Sequence, residues 1–403
     1  MSGTKAVSTQ KGSGSKPLRI LIACDTFYPD VNGAARFAER LAAGLVSRGH
    51  DVHIVAPAVK RGKAGTFVET IEGAKMTVHR WPSWRWPFHD WLRFVLPWMA
   101  KPRARRLLDS LQPDVIHFQS HIVIGRGIVW EGEKRGIRII GTNHVMPENV
   151  LDHTALPAWL KDPFVKWGWW MANHVFTKAE AITTPTRRAA EFLEANTSLS
   201  DVFAVSCGID ANNYKPVVGT RSHNRILFVG RLTGEKHVEV ILKALTLTDP
   251  KLDVHFDIVG GGDQRKLLEQ TAVNLGIAHR VVFHGRVDDE TLVDLYSQAS
   301  IFVIASVAEL QSIATMEAMA SGLPVIGADA MALPHLIHDG ENGYLFPPGD
   351  APALADRITR VLTADSKEYE RLQRDSLEAV SVHDIQRTLN TFEALYRGEA
   401  IEV

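Results

Sequence analysis

The sequence predicts an α/β protein made of two doubly wound domains, on three observations. The chain has 403 residues, long for one domain and comfortable for two. Short all-apolar runs of strand length alternate with helical segments throughout, the mark of parallel sheets covered on both faces. The alternation breaks once, near 208–219, where Asn212, Asn213, Pro216 and Gly219 stand between strand-like runs.

In chain order, 1–16 is small, polar and Gly/Ser-rich, lacks the apolar core of a signal peptide and is expected to be disordered. Residues 17–207 form the first domain, with strands expected at Arg19–Cys24, Val52–Ala56, Val115–Phe118, Ile137–Gly141, Ala181–Thr184 and Phe203–Val205. Residues 208–383 form the second, with strands at Arg225–Val229, Val254–Val259, Val281–His284, Ser300–Ala305, Pro324–Gly327 and Gly343–Phe346. The end of the chain, 384–403, holds a helix over Asp384–Arg397, whose Ile385, Leu389, Phe392, Leu395 and Tyr396 recur at helical spacing. Open α/β sheets bind ligands at the C-terminal ends of their strands, so two facing domains share a cleft.

The composition, 45% hydrophobic and 23% charged, is that of a globular protein, and a net charge of -1 offers no argument for nucleic acid. Cys24 and Cys207 each sit beside an apolar strand and read as buried thiols. No apolar window reaches the roughly 18 residues a membrane-spanning helix needs.

The most informative stretch is Glu309 to Glu317, two carboxylates eight positions apart at a strand-to-helix junction. On one straight helix they would be rotated by roughly 80° from each other. Glu309 therefore belongs to the incoming loop and Glu317 to the helix, which Ser312 caps and Gly322 stops. Between them, Leu310, Gln311, Ser312 and Ile313 offer free N–H groups at a helix N-terminus, a seat for phosphate. Hydroxyl-binding groups flanking an anion seat suit a nucleotide sugar.

Gly230 and Arg231 follow the strand Arg225–Val229, and Lys236 lies close behind. They are either surface charges on a solvated loop or fixed cations that stabilise a departing diphosphate; the anion-seat helix in the same domain favours the second. Gly33 opens the first domain's first helix, where a bare backbone can approach an anion or simply turn. His144 stands just past the strand Ile137–Gly141, in reach of a sugar hydroxyl or a proton, though most of the 17 histidines must be ordinary. Gly260-Gly261-Gly262 lacks the dinucleotide spacing and reads as a tight turn. No Asp-x-Asp metal seat, phosphate-loop, nucleophile-elbow or zincin signature occurs, so no metal or other cofactor is expected.

Nine of the ten tryptophans fall in two segments, 81–98 and 159–170. In the first, Trp81, Trp84, Trp86 and Trp91 interleave with Arg85 and Arg93. Aromatic rings among cations suit either a membrane interface or an aromatic pocket, and the local excess of positive charge favours the membrane.

Taken together these motifs resemble the retaining glycosyltransferases of family 4. The resemblance rests on Glu309 and Glu317 with Ala318-Met319-Ala320-Ser321-Gly322-Leu323-Pro324, on Val229-Gly230-Arg231-Leu232 with Lys236, on Gly208-Ile209-Asp210, on Asp339-Gly340-Glu341-Asn342-Gly343, and on Tyr28-Pro29-Asp30-Val31-Asn32-Gly33. It implies the GT-B fold: two Rossmann-like domains facing across a cleft, the first binding the acceptor and the second the donor, with the last helix crossing back to the first. It also implies roles. Glu317 would bind the ribose, Glu309 the donor sugar, Arg231 and Lys236 the diphosphate, Gly33 the phosphate or sugar, and His144 would stand by the reacting carbon. Gln311 and Ser312 replace the family's frequent Phe and Gly, which bears on donor identity rather than reaction class.

The expected activity is transfer of a hexose, mannose or glucose, from GDP-mannose or UDP-glucose to a hydroxyl of a membrane lipid of the diacylglycerol or phosphatidylinositol type. The enzyme would be cytoplasmic, peripheral on the inner face of the cell membrane. The rivals are a soluble sugar or polysaccharide acceptor, or a nucleotide-sugar-binding protein without turnover. The sequence leaves the oligomeric state open.

Overall fold

The computed structural model describes residues 16–30, 32–60, 62–86, 93–148 and 157–401. The expected tail, apart from Lys16, and Trp91 of the aromatic segment lie outside them.

Two sheets carry the chain. The first domain has β1 (Arg19–Ala23), β2 (Asp51–Pro57), β3 (Gly65–Ile71), β4 (Ala74–Trp81), β5 (Trp84–Arg85), β6 (Arg93–Phe94), β7 (Val115–Phe118), β8 (Arg138–Thr142), β9 (Ala181–Thr184) and β10 (Phe203–Ala204). Its main sheet runs in the order β10-β9-β8-β7-β1-β2-β4-β3, and β5 pairs with β6 in a small separate ribbon. The second domain has β11 (Arg225–Val229), β12 (His255–Val259), β13 (Val281–Gly285), β14 (Ile301–Ile304), β15 (Val325–Ala328) and β16 (Gly343–Phe346), ordered β13-β12-β11-β14-β15-β16 and parallel throughout. This is the α/β, doubly wound architecture expected. The central strands β1, β7 and β14 are buried almost end to end, which is why they read as unbroken apolar runs.

The first sheet departs from the expectation at one edge, where two strands that were not expected, β3 and β4, pair antiparallel. The two are joined through Glu72 and Gly73, both left-handed at φ 48° and 73°, the backbone of a tight hairpin turn. Strand β3 is almost wholly exposed, so it carries none of the apolar signal that marks the other strands.

The chain crosses between the sheets at two adjacent places. Ile209 N–H donates to His383 O at 2.8 Å, and Ile385 N–H donates to Ile209 O at 3.0 Å. Beyond the second crossing, helix Ile385–Arg397 packs on the first domain: Glu393 accepts from Arg48 at 2.5 Å and meets His50 at 2.7 Å, and Leu395 O accepts from Arg138 at 2.8 Å. Helix Gly33–Ser47 is close enough that a Cβ on Gly44 would lie 2.6 Å from Leu389 Cδ1. Cys24 and Cys207 are buried free thiols.

Candidate active site

The second domain's side of the cleft grows from β11 and β14. After β14 the chain enters helix Ile313–Ala320, capped by Ser312, whose Oγ accepts from Thr315 N–H at 3.3 Å. Gly322, at φ 74°, ends it, as its position in the sequence suggests. The N–H groups of Ile313 and Ala314 precede the first intrahelical hydrogen bond, leaving the anion seat open.

Glu309 and Lys236 form an ion pair, with side chains 13% and 14% exposed. Arg231 Nη2 lies 3.7 Å from Glu235 Oε1, which also accepts from Thr233 Oγ1 at 2.7 Å. Burial pushes the Glu235 carboxyl up, but the Thr233 hydroxyl, Lys236 and Arg231 outweigh it and hold the group below its ordinary range. Glu235 Oε2 is buried with no partner among the described residues. Gly230 N–H donates to Val259 O at 3.0 Å and Leu232 N–H to Gly261 O at 2.9 Å, pinning the Arg231 loop to the glycine run. That run is required by packing: a Cβ on Gly260 would stand 1.9 Å from Gly230 O, and one on Gly262 2.2 Å from Leu232 O.

Glu317 is buried, and both its oxygens are engaged. Oε1 accepts from Arg40 Nη2 at 2.6 Å, across from helix Gly33–Ser47, and Oε2 accepts from Tyr296 OH at 3.0 Å. Burial lowers the Arg40 pKa, but Glu317 and Tyr214 more than reverse it, so the guanidinium stays charged. A second cross-domain pair, Arg36 Nη2 to Asp289 Oδ1 at 2.7 Å, lies one turn earlier on the same helix. Arg36, Arg40, Tyr214 and Tyr296 were not legible as site residues. The only hint is that Arg36 and Arg40 stand one turn apart just after Gly33.

Two residues expected to meet the donor through their N–H groups turn their side chains elsewhere. The Gln311 side chain is buried and turned to the crossing: its Oε1 accepts from Cys207 N–H at 2.8 Å and its Nε2 donates to Ser206 Oγ at 3.0 Å. The Leu310 side chain joins the first domain's core, and its carbonyl accepts from Thr186 Oγ1 at 2.9 Å. An amide can satisfy the crossing strand and an apolar side chain the core, so neither side chain faces the anion seat.

On the opposite side, β1, β7 and β8 end in a neutral network. Tyr396 OH meets His117 Nδ1 at 2.7 Å, Gln119 Nε2 meets His117 Nε2 at 3.2 Å, and His144 Nε2 donates to Gln119 Oε1 at 3.0 Å. Burial drives His144 and His117 down to about 3 and His121 to about 4, so all three are uncharged near neutrality. Phe37 backs His144 at 4.9 Å between ring centres. Gly33 is exposed at the start of its helix, with Asn32 capping Ala35 at 2.9 Å; a Cβ on Gly33 would meet no protein atom within 4 Å, which leaves its backbone accessible.

The aromatic segment is largely turned inward. Trp81 is 5% exposed and packs in the core with Leu21, Val55 and Val95, on the face of β4 opposite Met76 and Val78, so it cannot meet a bilayer. Trp84 and Trp86 are half-buried, Trp86 packing edge-on to Phe94 at 5.4 Å, and Arg93 donates to Ser83. Arg85 is exposed. Among the described residues the well-exposed tryptophans are Trp98, Trp159, Trp167 and Trp170, on helices Pro97–Leu111 and Ala158–Phe176.

Two Rossmann-like sheets, a capped helix between paired glutamates, and strand-end cations beside it define a nucleotide-sugar-dependent glycosyltransferase of the GT-B type. Two family models match in tandem: Glycosyltransferase Family 4 over 31–213 and Glycosyl transferases group 1 over 212–377. The chain belongs to this family of retaining hexosyltransferases. It is 27% identical over 360 residues to a GDP-mannose-dependent alpha-mannosyltransferase of Corynebacterium glutamicum, covering 85% of this chain and 81% of that protein. It is 23% identical over 396 residues to an alpha-monoglucosyldiacylglycerol synthase of Streptococcus pneumoniae, covering 93% and 85%. Its fold matches sucrose-phosphate synthase from Thermosynechococcus elongatus with a TM-score of 0.77 and 20% identity, over 94% of this chain and 98% of that one.

Proposed function

We propose that this enzyme moves a hexose, mannose from GDP-mannose in the first instance or glucose from UDP-glucose, to a hydroxyl of a membrane lipid, with retention at the anomeric carbon. The observation that carries the donor half is the Lys236–Glu309 pair beside Arg231 and the open helix N-terminus. Arg231 and Lys236 bind the diphosphate, most strongly as charge grows on it in the transition state. Glu309, freed from part of its hold on Lys236 by the donor phosphate, accepts sugar hydroxyls. Glu317 takes the ribose by exchanging its contacts with Arg40 and Tyr296. His144, neutral, donates or accepts at a sugar hydroxyl. The C. glutamicum relative supports mannose and GDP, and the S. pneumoniae relative a lipid acceptor.

The lipid reading is also supported by the outer face of the first domain. Trp98 and Lys101 are exposed on helix Pro97–Leu111, and Trp159, Lys161, Lys166, Trp167 and Trp170 on helix Ala158–Phe176, rings suited to headgroup depth and cations suited to anionic lipid. Among the described residues no helix is long and apolar enough to cross a membrane, so contact would be peripheral. A thermal-shift screen against GDP-mannose, UDP-glucose and an ADP sugar tests the donor, since ligand binding raises apparent stability. Sedimentation with phosphatidylglycerol vesicles tests the surface. Binding should be strong and should fall about 10-fold in the Trp159/Trp167/Trp170→Ala variant; no sedimentation of the wild type removes the lipid reading and leaves a soluble acceptor.

A further inference from the structure

The loop that carries Glu309 is fastened at each of its residues. Glu309 O accepts from Ala332 N–H at 3.1 Å, Leu310 O accepts from Thr186 Oγ1 at 2.9 Å, and the Gln311 amide reaches Ser206 and Cys207 on the first crossing. The two crossings are tightly joined there. A Cβ on Gly208, at φ 73°, would stand 2.7 Å from Thr388 Oγ1 and 2.9 Å from Ile385 Cα, and Ser206 O accepts from Thr388 Oγ1 at 3.0 Å. His335, on the short helix that follows Ala332, lies edge-on to His383 at 5.5 Å between ring centres.

The hydrogen bonds at this junction have one direction. The Cys207 backbone N–H only donates, so the Gln311 atom facing it is the amide oxygen and the atom facing Ser206 is the amide nitrogen. An amide nitrogen donates and does not accept. Ser206 Oγ therefore accepts from Gln311 Nε2 at 3.0 Å, and it accepts again from Gly208 N–H at 3.2 Å. With both lone pairs used, its proton is left for His383 Nδ1, 3.0 Å away. His383 Nδ1 then carries no proton, which makes the ring neutral and protonated on Nε2. Burial, with His335 and Arg387 nearby, pushes His383 down to about 4, so the ring keeps this form near neutrality.

We propose that Ser206 and His383 are positioning residues for the donor: their relay orients the Gln311 amide, which sets the loop from which Glu309 meets the donor sugar. The anion seat is held separately, because Ser312 caps helix Ile313–Ala320 through its own side chain. The relay therefore acts on the sugar end of the donor and spares the diphosphate. The inference rests on the reading of Glu309 as a sugar contact and goes further by making sugar recognition depend on a neutral histidine at the domain crossing.

Two measurements on the full chain test it. Nitrogen NMR of isotope-labelled histidines, with the His383 signals assigned by their loss in His383→Asn, should show a neutral ring protonated on Nε2 near neutrality. A ring protonated on Nδ1, or a charged one, overturns the inference. The second measurement is calorimetric titration with GDP-mannose, UDP-glucose, GDP and UDP. Ser206→Ala and His383→Leu should each weaken the nucleotide sugar that the wild type binds by about 5-fold, the size of one lost hydrogen bond, and leave the bare nucleotide within about 2-fold. His383→Asn, whose side-chain oxygen can stand where Nδ1 stood, should stay within about 2-fold of the wild type on both. Ser206→Ala combined with Gln311→Ala should bind no worse than the weaker single variant, because one relay is broken only once. Unchanged nucleotide-sugar affinity in Ser206→Ala and His383→Leu, an equal loss of nucleotide and nucleotide sugar, or losses that multiply in the double variant each overturn the inference. Melting curves identify any variant that fails to fold, and the wild-type tautomer then decides. Glu309→Gln separates the two readings. If it weakens the nucleotide sugar and the relay variants do not, only this inference falls, whereas no effect in Glu309→Gln removes the sugar role on which it rests.

Discussion

On the second domain's side of the cleft the functional side chains carry formal charge: Arg231 near Glu235, Lys236 against Glu309, and Glu317 reaching across to Arg40. On the first domain's side the strand ends offer His117, His121, His144 and Gln119, with the histidines held neutral by burial. The difference fits the function proposed for the two sides. A diphosphate that gains charge as it leaves needs fixed cations, which persist in a half-buried place only when carboxylates pair with them in its absence. A neutral imidazole can both donate to a sugar hydroxyl and accept from one.

The largest effect should come from breaking the charged side at its cross-domain pair. Arg40→Leu strands the buried Glu317 carboxylate, and urea unfolding should show a loss of about 3–5 kcal/mol. The Arg40→Leu, Glu317→Leu double variant should recover most of it, and a double variant as unstable as the single would mean the pair matters by packing rather than charge. Next in size, Arg231→Ala should lower kcat about 10²-fold or more with little change in melting temperature, the signature of a group acting in the transition state. Near-normal turnover would remove Arg231 from the chemistry.

The neutral side is tested by acid. His117 and His144 have folded pKa values of about 3, below the ordinary 6.5, so the stability they contribute is fully present above about pH 6.5 and is lost as pH falls toward 3. At pH 5 each should have given up about 2 kcal/mol, read as a falling unfolding midpoint. The same depression means that His144 should add no inflection to kcat between about pH 5.5 and 8. An inflection near 6.5 that vanishes in His144→Phe would show a charged histidine and end the contrast between the two sides. The smallest effect is expected at Gln311. Gln311→Ala deletes two hydrogen bonds to the crossing strand, worth about 1 kcal/mol each. It should raise KM for the donor a few-fold while leaving kcat nearly intact, and a large drop in kcat instead would return Gln311 to the sugar pocket.

Much of this was legible in the chain alone because it is local. Apolar runs about as long as a buried strand announce parallel strands wherever both faces are covered, and all twelve expected strands formed. The Ser312 cap, the Gly322 stop and the placing of Glu309 on a loop and Glu317 on a helix follow from residue types a few positions apart. Four strands escaped: β3 because an exposed edge strand needs no apolar pattern, β4 because its apolar residues alternate with Lys75, Thr77 and His79 rather than running unbroken, and β5 and β6 because each is two residues long. What only the tertiary structure decided is which distant residues meet. Arg40 and Glu317 are 277 positions apart, and nothing in either neighbourhood names the other. Gln311 lies inside the most telling motif, yet its amide serves the crossing strand, because a buried amide goes where unmet backbone groups are. The tryptophans make the same point: the sequence shows that Trp81 stands among cations, but packing over the end of β4 buries it, while Trp98, Trp159, Trp167 and Trp170 lie on the outward faces of their helices. Local chemistry sets what each segment can form, and the packing of one segment on another decides which side chains remain for function.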